Sequence, residues 1–104
     1  MFSIVIPTFN NLDYLIKCIE SIKKNSKYDH EIIPHVNEGS DGTTEYLKKN
    51  NIDYTFTKHN SGICTGMNMA AKKAKTKYIL YAHDDFYFCP NWDLVLKKEV
   101  DKIN

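Results

Sequence analysis

The feature that most constrains this fold is an alternation of short apolar runs and longer helical patterns, repeated four times along 104 residues. Each apolar run is predicted to be a strand, and the runs span residues 2–6, 31–36, 52–57 and 78–82. The stretches that follow carry apolar residues three or four positions apart, which is typical of helices packed on a core. This alternation predicts an α/β fold in which a parallel, Rossmann-like sheet has helices on both faces.

Prolines and small polar residues predict where these elements end. We expect Pro7 to stop the first strand. We expect Pro34 to mark an edge, a bulge or an early end of the second strand, because proline lacks a ladder donor. Asn10 or Asn11 is expected to cap the first helix, and Ser61 is expected to cap the third.

Size and composition narrow the possible functions. The chain is expected to form one domain over residues 1–104. A net charge of +1 argues against a nucleic-acid binder, and no apolar run approaches the roughly 20 residues that cross a bilayer. The start of the chain lacks the features of a signal peptide, and three widely spaced cysteines suggest a cytoplasmic protein in a reducing compartment. Cys64 and Cys89 are expected to be buried as small apolar residues.

An acidic corner, His83, Asp84 and Asp85, follows the fourth apolar run at the point where a buried strand would end. In open α/β sheets, ligands bind just beyond the carboxyl ends of strands. Two adjacent carboxylates repel each other, so this pair favours a nearby cation or open water. Mg²⁺ and Mn²⁺ prefer oxygen ligands, and such an ion typically shares one or two carboxylates with the phosphates of a substrate. The corner therefore predicts a metal-dependent nucleoside diphosphate site, and the plain alternative is an acidic turn.

Two more polar loops are expected at the same edge of the sheet. The first strand leads into Thr8, Phe9 and Asn10, and the second leads into residues 37–40, which read Asn-Glu-Gly-Ser. An aromatic ring, amide and carboxyl acceptors and exposed backbone suit a flat heterocycle that carries phosphates. All 14 cationic residues are lysines, so a phosphate must be held by backbone N–H groups, lysines or a metal rather than by an arginine.

Four regions of the chain, the third of them in two pieces, resemble in order the motifs of family-2 glycosyltransferases of the GT-A fold. Residues 2–10, Phe-Ser-Ile-Val-Ile-Pro-Thr-Phe-Asn, resemble the opening of that family. Residues 37–43, Asn-Glu-Gly-Ser-Asp-Gly-Thr, resemble its Asp-Asp-Gly-Ser signature with the following Asp-Gly-Thr, one residue shorter. Residues 60–62 and 68–71 resemble its Asn-x-Gly and Ala-Arg-Asn segments, and residues 78–85 resemble the strand that ends in its DxD metal motif. The resemblance covers most of the chain.

The resemblance implies roles for the matching residues. Glu38 would hydrogen-bond the nucleobase with Asn37 beside it, and Asp85 would bind the Mn²⁺ or Mg²⁺ that bridges the diphosphate. His83 stands where the first aspartate of DxD usually lies, so it would touch the ribose or the metal, and Asp84 is the middle residue of that motif. The residues implied in nucleotide binding are Pro7, Thr8, Phe9, Asn37, Glu38, Asn60, Gly62, His83 and Asp84.

This chain departs from the family pattern in three residues and in length. Asn37 replaces an acid, His83 replaces an aspartate, and Met67 stands where an arginine is common. An imidazole is a better ligand for transition metals than for Mg²⁺, which favours Mn²⁺. Family members continue into a second half that holds the acceptor contacts and the catalytic base, and no residue here matches that base. We therefore expect a truncated GT-A nucleotide-binding half, with the acceptor half absent.

The resemblance predicts a glycosyltransferase that binds a nucleotide-sugar, with a UDP-sugar as the first choice, and transfers the glycosyl group to an unidentified acceptor hydroxyl. The alternative is a non-catalytic donor-binding module that a partner chain or self-association completes. A phosphate or nucleotide binder of another doubly wound class is the third hypothesis, and the absence of GxGxxG and GxxxxGK[ST] motifs argues against it. In the closing helix, Asp93 and Glu99 are expected at the solvated surface and Trp92 in the core.

Overall fold

The computed structural model describes residues 1–103, and in that range four strands alternate with four helices. The strands are β1 (Phe2–Phe9), β2 (Glu31–Asn37), β3 (Thr55–Thr57) and β4 (Tyr78–Tyr81). The helices are α1 (Leu12–Asn25), α2 (Thr43–Lys49), α3 (Ile63–Ala71) and α4 (Trp92–Ile103). The predicted α/β class is confirmed.

The four strands form one parallel sheet in the order β3-β2-β1-β4. The long pairing of β1 with β2 runs from Ser3 opposite Glu31 to Phe9 opposite Asn37. Because every pair is parallel, all four strands end at one edge of the sheet, and the loops that follow them gather there.

Helices cover both faces of the sheet, as the alternation predicted. On one face, Ile4 and Ile6 of β1 pack in a fully buried cluster with Leu15 and Ile19 of α1 and Leu47 of α2. Residues that alternate with these along the strands, Val5 and Ile33, face the other side and pack against Ala70 of α3. Each fully buried leucine or isoleucine contributes about 1.5–3 kcal/mol, so this double-sided core holds the sheet edge in place.

The prolines do not end their strands, which corrects the prediction for Pro7 and Pro34. Strand β1 continues past Pro7 to Phe9, and Pro34 lies buried inside the internal strand β2. The pairing of β1 with β4 stops at Val5, and the pairing of β2 with β3 starts only at His35. Each proline therefore has a partner strand on one side alone, and a missing N–H on the other side removes no ladder bond.

The predicted helix caps are also corrected. Asn11 occupies the N-cap position of α1 but makes no side-chain cap bond. The N-cap position of α3 is held by Gly62, which has no side chain, rather than by Ser61. The first N–H of α1, on Leu12, instead donates to Asp41 Oδ2 at 3.0 Å, from a loop 29 residues away. Ser61 points its hydroxyl at Asn37 rather than at the start of α3. A distant carboxylate has replaced the local cap of α1, whereas at α3 the hydroxyl of Ser61 is used in a bond to Asn37.

Asp93 is fully buried, so the prediction that it is a solvated surface residue is wrong. Its carboxylate accepts hydrogen bonds from the backbone N–H groups of Lys27 and Tyr28, at 2.9 and 2.8 Å, and from His30 Nε2 at 2.8 Å. Burial alone would raise the pKa of Asp93, but these bonds outweigh it and hold the pKa below its usual value. Glu99 is exposed, and Trp92, the residue before Asp93, packs against the core, both as predicted.

The cysteines also depart from expectation. Cys64 and Cys89 are exposed, whereas Cys18 is fully buried in α1. Burial, together with the charges of Asp84 and Asp85, raises the pKa of Cys18 to about 12.

Within residues 1–103, no helix has the length and apolar character needed to cross a membrane.

Candidate functional site

A cleft of about 500 Å³ lies at the edge where the parallel strands end. Its walls come from the ends of β1, β2 and β4, from the turn before α3 and from the first turn of α3. The lining residues are Pro7, Thr8, Phe9, Asn11, Asn37, Asn60, Gly62, Ile63, Cys64, Tyr81, His83 and Asp84.

The cleft brings together eight of the ten residues that the sequence singled out, and it leaves out Glu38 and Asp85. Four lining residues were not singled out as site residues: Asn11, Ile63, Cys64 and Tyr81. Tyr81 is the last residue of β4, and Ile63 and Cys64 open α3, so their positions at the ends of elements were the available signal.

Thr8 and Asp84 join the end of β1 to the turn after β4. The Thr8 hydroxyl donates to Asp84 Oδ2 at 2.8 Å, and Thr8 is only 2% exposed. A buried hydroxyl with a fixed acceptor restricts the rotamer of the carboxylate that it binds. One oxygen of Asp84 is therefore engaged inside the protein while the residue still lines the cleft.

Asn37 is almost completely buried in the floor of the cleft. Its Oδ1 accepts hydrogen bonds from the N–H and the hydroxyl of Ser61, each at 2.8 Å, and its Nδ2 donates to the Thr8 carbonyl at 3.3 Å. Thr57 Oγ1 lies 3.1 Å from the same Oδ1. The amide thus connects the ends of three strands and the turn that leads into α3.

His35 lies behind Asn37, beneath α3. Its Nδ1 is 2.7 Å from the Thr55 hydroxyl and its Nε2 is 3.1 Å from the Thr57 hydroxyl. Burial lowers the pKa of His35, and the side chain of Asn37 opposes that shift. Gly66 permits this packing, because a Cβ there would lie 2.7 Å from His35 Cδ2.

The predicted metal ligand His83 is exposed at the rim and is held between two aromatic rings. The ring centroids of Tyr81 and Phe86 lie 4.9 and 5.2 Å from that of His83, and the Tyr81 hydroxyl is 3.2 Å from His83 Nε2. Burial raises the pKa of Tyr81, with smaller contributions from Cys64 and Asp84. This geometry keeps the imidazole at the mouth of the cleft.

Phe9 and Glu38 are the exposed residues at the ends of the two central strands. Phe9 is 47% exposed and offers an aromatic face to the cleft. Glu38 has a φ of +69°, a left-handed conformation that costs a residue with a side chain about 1–2 kcal/mol. Its backbone N–H donates to the Thr57 carbonyl at 2.8 Å, which holds it in that conformation.

The metal ligands implied by the resemblance do not form a protein-only site. Asp85 is exposed and outside the cleft lining, and no three His, Cys, Asp or Glu side chains among residues 1–103 are grouped to hold an ion. His83 and Asp84 do line the cleft. One carboxylate and one imidazole suit a transition-metal ion such as Mn²⁺ that completes its coordination with substrate phosphates.

Structural comparison supports the fold. The crystal structure of S. aureus TarS residues 1–349 in complex with UDP-GlcNAc matches 97% of this chain and 31% of its own, with a TM-score of 0.86 at 22% identity. The mannosyltransferase PcManGT from Pyrobaculum calidifontis, in complex with GDP-Man and Mn²⁺, matches 90% of this chain and 30% of its own, with a TM-score of 0.73 at 16% identity. These likenesses establish a GT-A, Rossmann-like fold.

Sequence comparison identifies the family. An uncharacterised glycosyltransferase of Rickettsia bellii is 31% identical over 100 residues, a match that covers 91% of this chain and 14% of the relative. Across the curated relatives that it matches, the chain spans between 14% and 30% of their length. The family model described as "Glycosyl transferase family 2" matches residues 3–104. Because that match takes in nearly every residue, including all those that line the cleft, the chain belongs to glycosyl transferase family 2.

Proposed function

We propose that the cleft binds the nucleoside diphosphate of a nucleotide-sugar, with a UDP-sugar as the preferred donor. The observation that carries this proposal is the convergence of Phe9, Thr8, Asp84 and the start of α3 on one cleft of about 500 Å³ in a family-2 chain. That volume suits a small organic ligand. The choice of uridine follows the UDP-GlcNAc and UDP of the TarS structures, and GDP is the competing nucleotide because PcManGT holds GDP-Man.

The nucleobase would lie against Phe9 and Pro7, with Glu38 as the acceptor for its N–H. Phe9 has the exposed aromatic face that a flat ring needs, and Glu38 is exposed at the neighbouring strand end. The left-handed backbone of Glu38 supports this role, because strained residues cluster at ligand sites. Asn60 would contact the nucleotide from the opposite wall.

The diphosphate would lie near the first turn of α3. The first N–H groups of a helix have no partner within the helix and favour anions. Gly62, Ile63 and Cys64 present this turn to the cleft, and the lining residues that the structure describes include no lysine. Backbone groups and a metal therefore remain as the means of holding phosphate charge.

We propose Mn²⁺ or Mg²⁺ as the cofactor, held by Asp84, His83 and Asp85 together with the diphosphate. The ion would neutralise the charge that develops on the leaving group. An imidazole ligand favours Mn²⁺, and PcManGT was crystallised with Mn²⁺. Asp85 lies outside the lining and would have to reach the ion from the rim.

The reaction is the transfer of a glycosyl group to an acceptor hydroxyl. The hydroxyl oxygen bonds to the anomeric carbon, and the bond from that carbon to the diphosphate oxygen breaks with its electron pair on the diphosphate. The hydroxyl proton passes to a base that the resemblance assigns to the second half of the family fold. Asp93 is not that base, because its carboxylate is buried and accepts three donors of the α1–β2 loop.

The alternative is a donor-binding module that turns over only with a partner chain or with a second copy. An apolar groove of about 400 Å³ beside the edge strand β4 favours it, with Phe86, Tyr87 and Val95 exposed along it. Such a face is available for association.

We also propose that residues 1–104 form one nucleotide-binding domain, located in the cytoplasm.

Isothermal calorimetry with UDP, GDP and TDP, with and without Mn²⁺, tests the nucleotide proposal. We expect UDP to bind most tightly and Mn²⁺ to strengthen its binding, and absence of binding by all three would refute it. Incubation with labelled UDP-sugars and Mn²⁺ separates the two functions. Transfer or hydrolysis by the monomer supports the enzyme, whereas binding without turnover supports the module.

A further inference from the structure

We propose that Asn37 is a positioning residue, whose amide fixes the Asn60–Gly62 wall of the cleft against the end of β1. This role rests on the proposed function, because the wall belongs to the proposed nucleotide site. It differs from the place beside the nucleobase that the family resemblance implies for residue 37.

The hydrogen bonds of Asn37 use both the acceptor and the donor of its amide. Ser61 N–H can only donate and the Thr8 carbonyl can only accept, so Oδ1 must face Ser61 and Nδ2 must face Thr8. With the Ser61 hydroxyl also donating to Oδ1, both ends of the amide are used inside the protein. An aspartate has nearly the same shape and two acceptors, but when ionised it has no donor for Thr8.

The same network links the wall to the buried core. Thr57 Oγ1 lies 2.8 Å from the His59 carbonyl and 3.1 Å from Asn37 Oδ1, so its single proton can be donated to either oxygen, and His35 Nε2 lies 3.1 Å from the same hydroxyl. Asn37 is 2% exposed, so water does not replace a bond that is lost. Asn60 and Gly62, the residues on either side of Ser61, line the cleft, and a shift of their turn therefore changes its shape.

The first test is the Asn37→Asp variant, with UDP affinity measured between pH 5 and pH 9. At high pH the introduced carboxylate faces the Thr8 carbonyl, and we expect about tenfold weaker binding than in the wild type. Burial and the facing Thr8 carbonyl favour the neutral form of this carboxyl. As the pH falls, the protonated carboxyl donates to Thr8 as the amide does, so the affinity of the variant should approach that of the wild type. A residue with a merely structural role would not produce this pH-dependent rescue.

The second test needs no ligand. Amide hydrogen exchange of Ser61 in the free protein reports the bond to Asn37 directly. In Asn37→Ala, we expect the exchange of Ser61 to accelerate about tenfold more than the exchange of residues in the core of β1. If Asn37→Asp does not fold, Ser61→Ala takes its place as a milder variant. It removes one donor to Asn37 and should weaken UDP binding severalfold. If wild-type protein binds no UDP, the proposed function fails, and Ser61 exchange still decides the role of Asn37.

The matched control is Asn50→Asp. Asn50 also donates its amide to a backbone carbonyl, that of Tyr46 at 2.8 Å, but it is exposed at the end of α2 and outside the cleft. This variant should leave UDP affinity unchanged at every pH. The proposal is overturned if Asn37→Asp matches the wild type from pH 5 to pH 9, or if Ser61 exchange in Asn37→Ala rises no more than core exchange.

Discussion

Thr8 donates a hydrogen bond from Oγ1 to Asp84 Oδ2 across 2.8 Å, and this bond joins the end of β1 to the turn after β4. The two residues are 76 positions apart in the chain. The carboxylate that lines the cleft is thus oriented by a buried neutral hydroxyl rather than by a cation.

Replacing Thr8 with valine should separate orientation from packing. Valine fills the same volume but cannot donate, so we expect a loss of about 1 kcal/mol in the free energy of unfolding and weaker UDP binding. Urea unfolding and calorimetry measure the two effects. Thr8→Ser keeps the hydroxyl and should retain most of the affinity, and a Thr8→Val variant that matched the wild type in both would show that the bond is unimportant.

The Asp84→Asn and Asp85→Ala variants test the proposed metal site. We expect each to reduce the gain in UDP affinity that Mn²⁺ provides, with the larger loss for Asp84 because it lines the cleft. Affinity measured in EDTA serves as the baseline for each variant. If Asp85→Ala keeps the full Mn²⁺ effect, Asp85 is not a ligand.

Glu38→Gly should increase stability and reduce binding. Glycine adopts the left-handed backbone of residue 38 without strain, so we expect a gain of about 1 kcal/mol in the free energy of unfolding. Loss of the carboxylate should weaken UDP binding about tenfold. Asn51→Gly is the matched control, because Asn51 has a φ of +56° just after α2, in a loop that holds no residue of the proposed site, and should change stability alone.

Gly66→Ala should destabilise the protein even though alanine favours helices. The new Cβ would lie 2.7 Å from His35 Cδ2, and overpacking of a buried contact costs about 1–3 kcal/mol. Thermal and urea unfolding measure the loss. Asn68→Ala, on the exposed side of the same helix, should be neutral or slightly stabilising, and a neutral Gly66→Ala would show that α3 can move away from His35.

Asp93 should make stability depend on acid pH. Its pKa is held below the unfolded value of about 4, so the stability it provides is complete above pH 4 and is lost as the pH falls further. Urea unfolding between pH 2.5 and pH 7 should show a steeper loss below pH 4 for the wild type than for Asp93→Asn. The variant should also lose about 3 kcal/mol at neutral pH, and identical pH profiles would contradict this role.

Part of the candidate site was predictable because it depends on where strands end. Thr8, Asn37 and Asp84 each follow or end a β-branched or apolar run, and a parallel sheet brings such positions to one edge. The burial of Asp93 was not predictable, because the N–H groups that satisfy it belong to a loop more than 60 residues earlier. Helical periodicity alone predicted that Asp93 lies on the solvent-exposed side of α4.

By itself, the sequence determined the order of strands and helices, the two-sided core and the family, because periodicity and motif spacing are local properties of the chain. Only the tertiary structure decided what the polar side chains do. Asn37 bonds to Thr8 and Ser61, which are 29 and 24 residues away, and Leu12 takes its cap from Asp41 in another loop. A buried polar group must find a partner wherever the fold supplies one, and the supplier lies outside any local window of sequence.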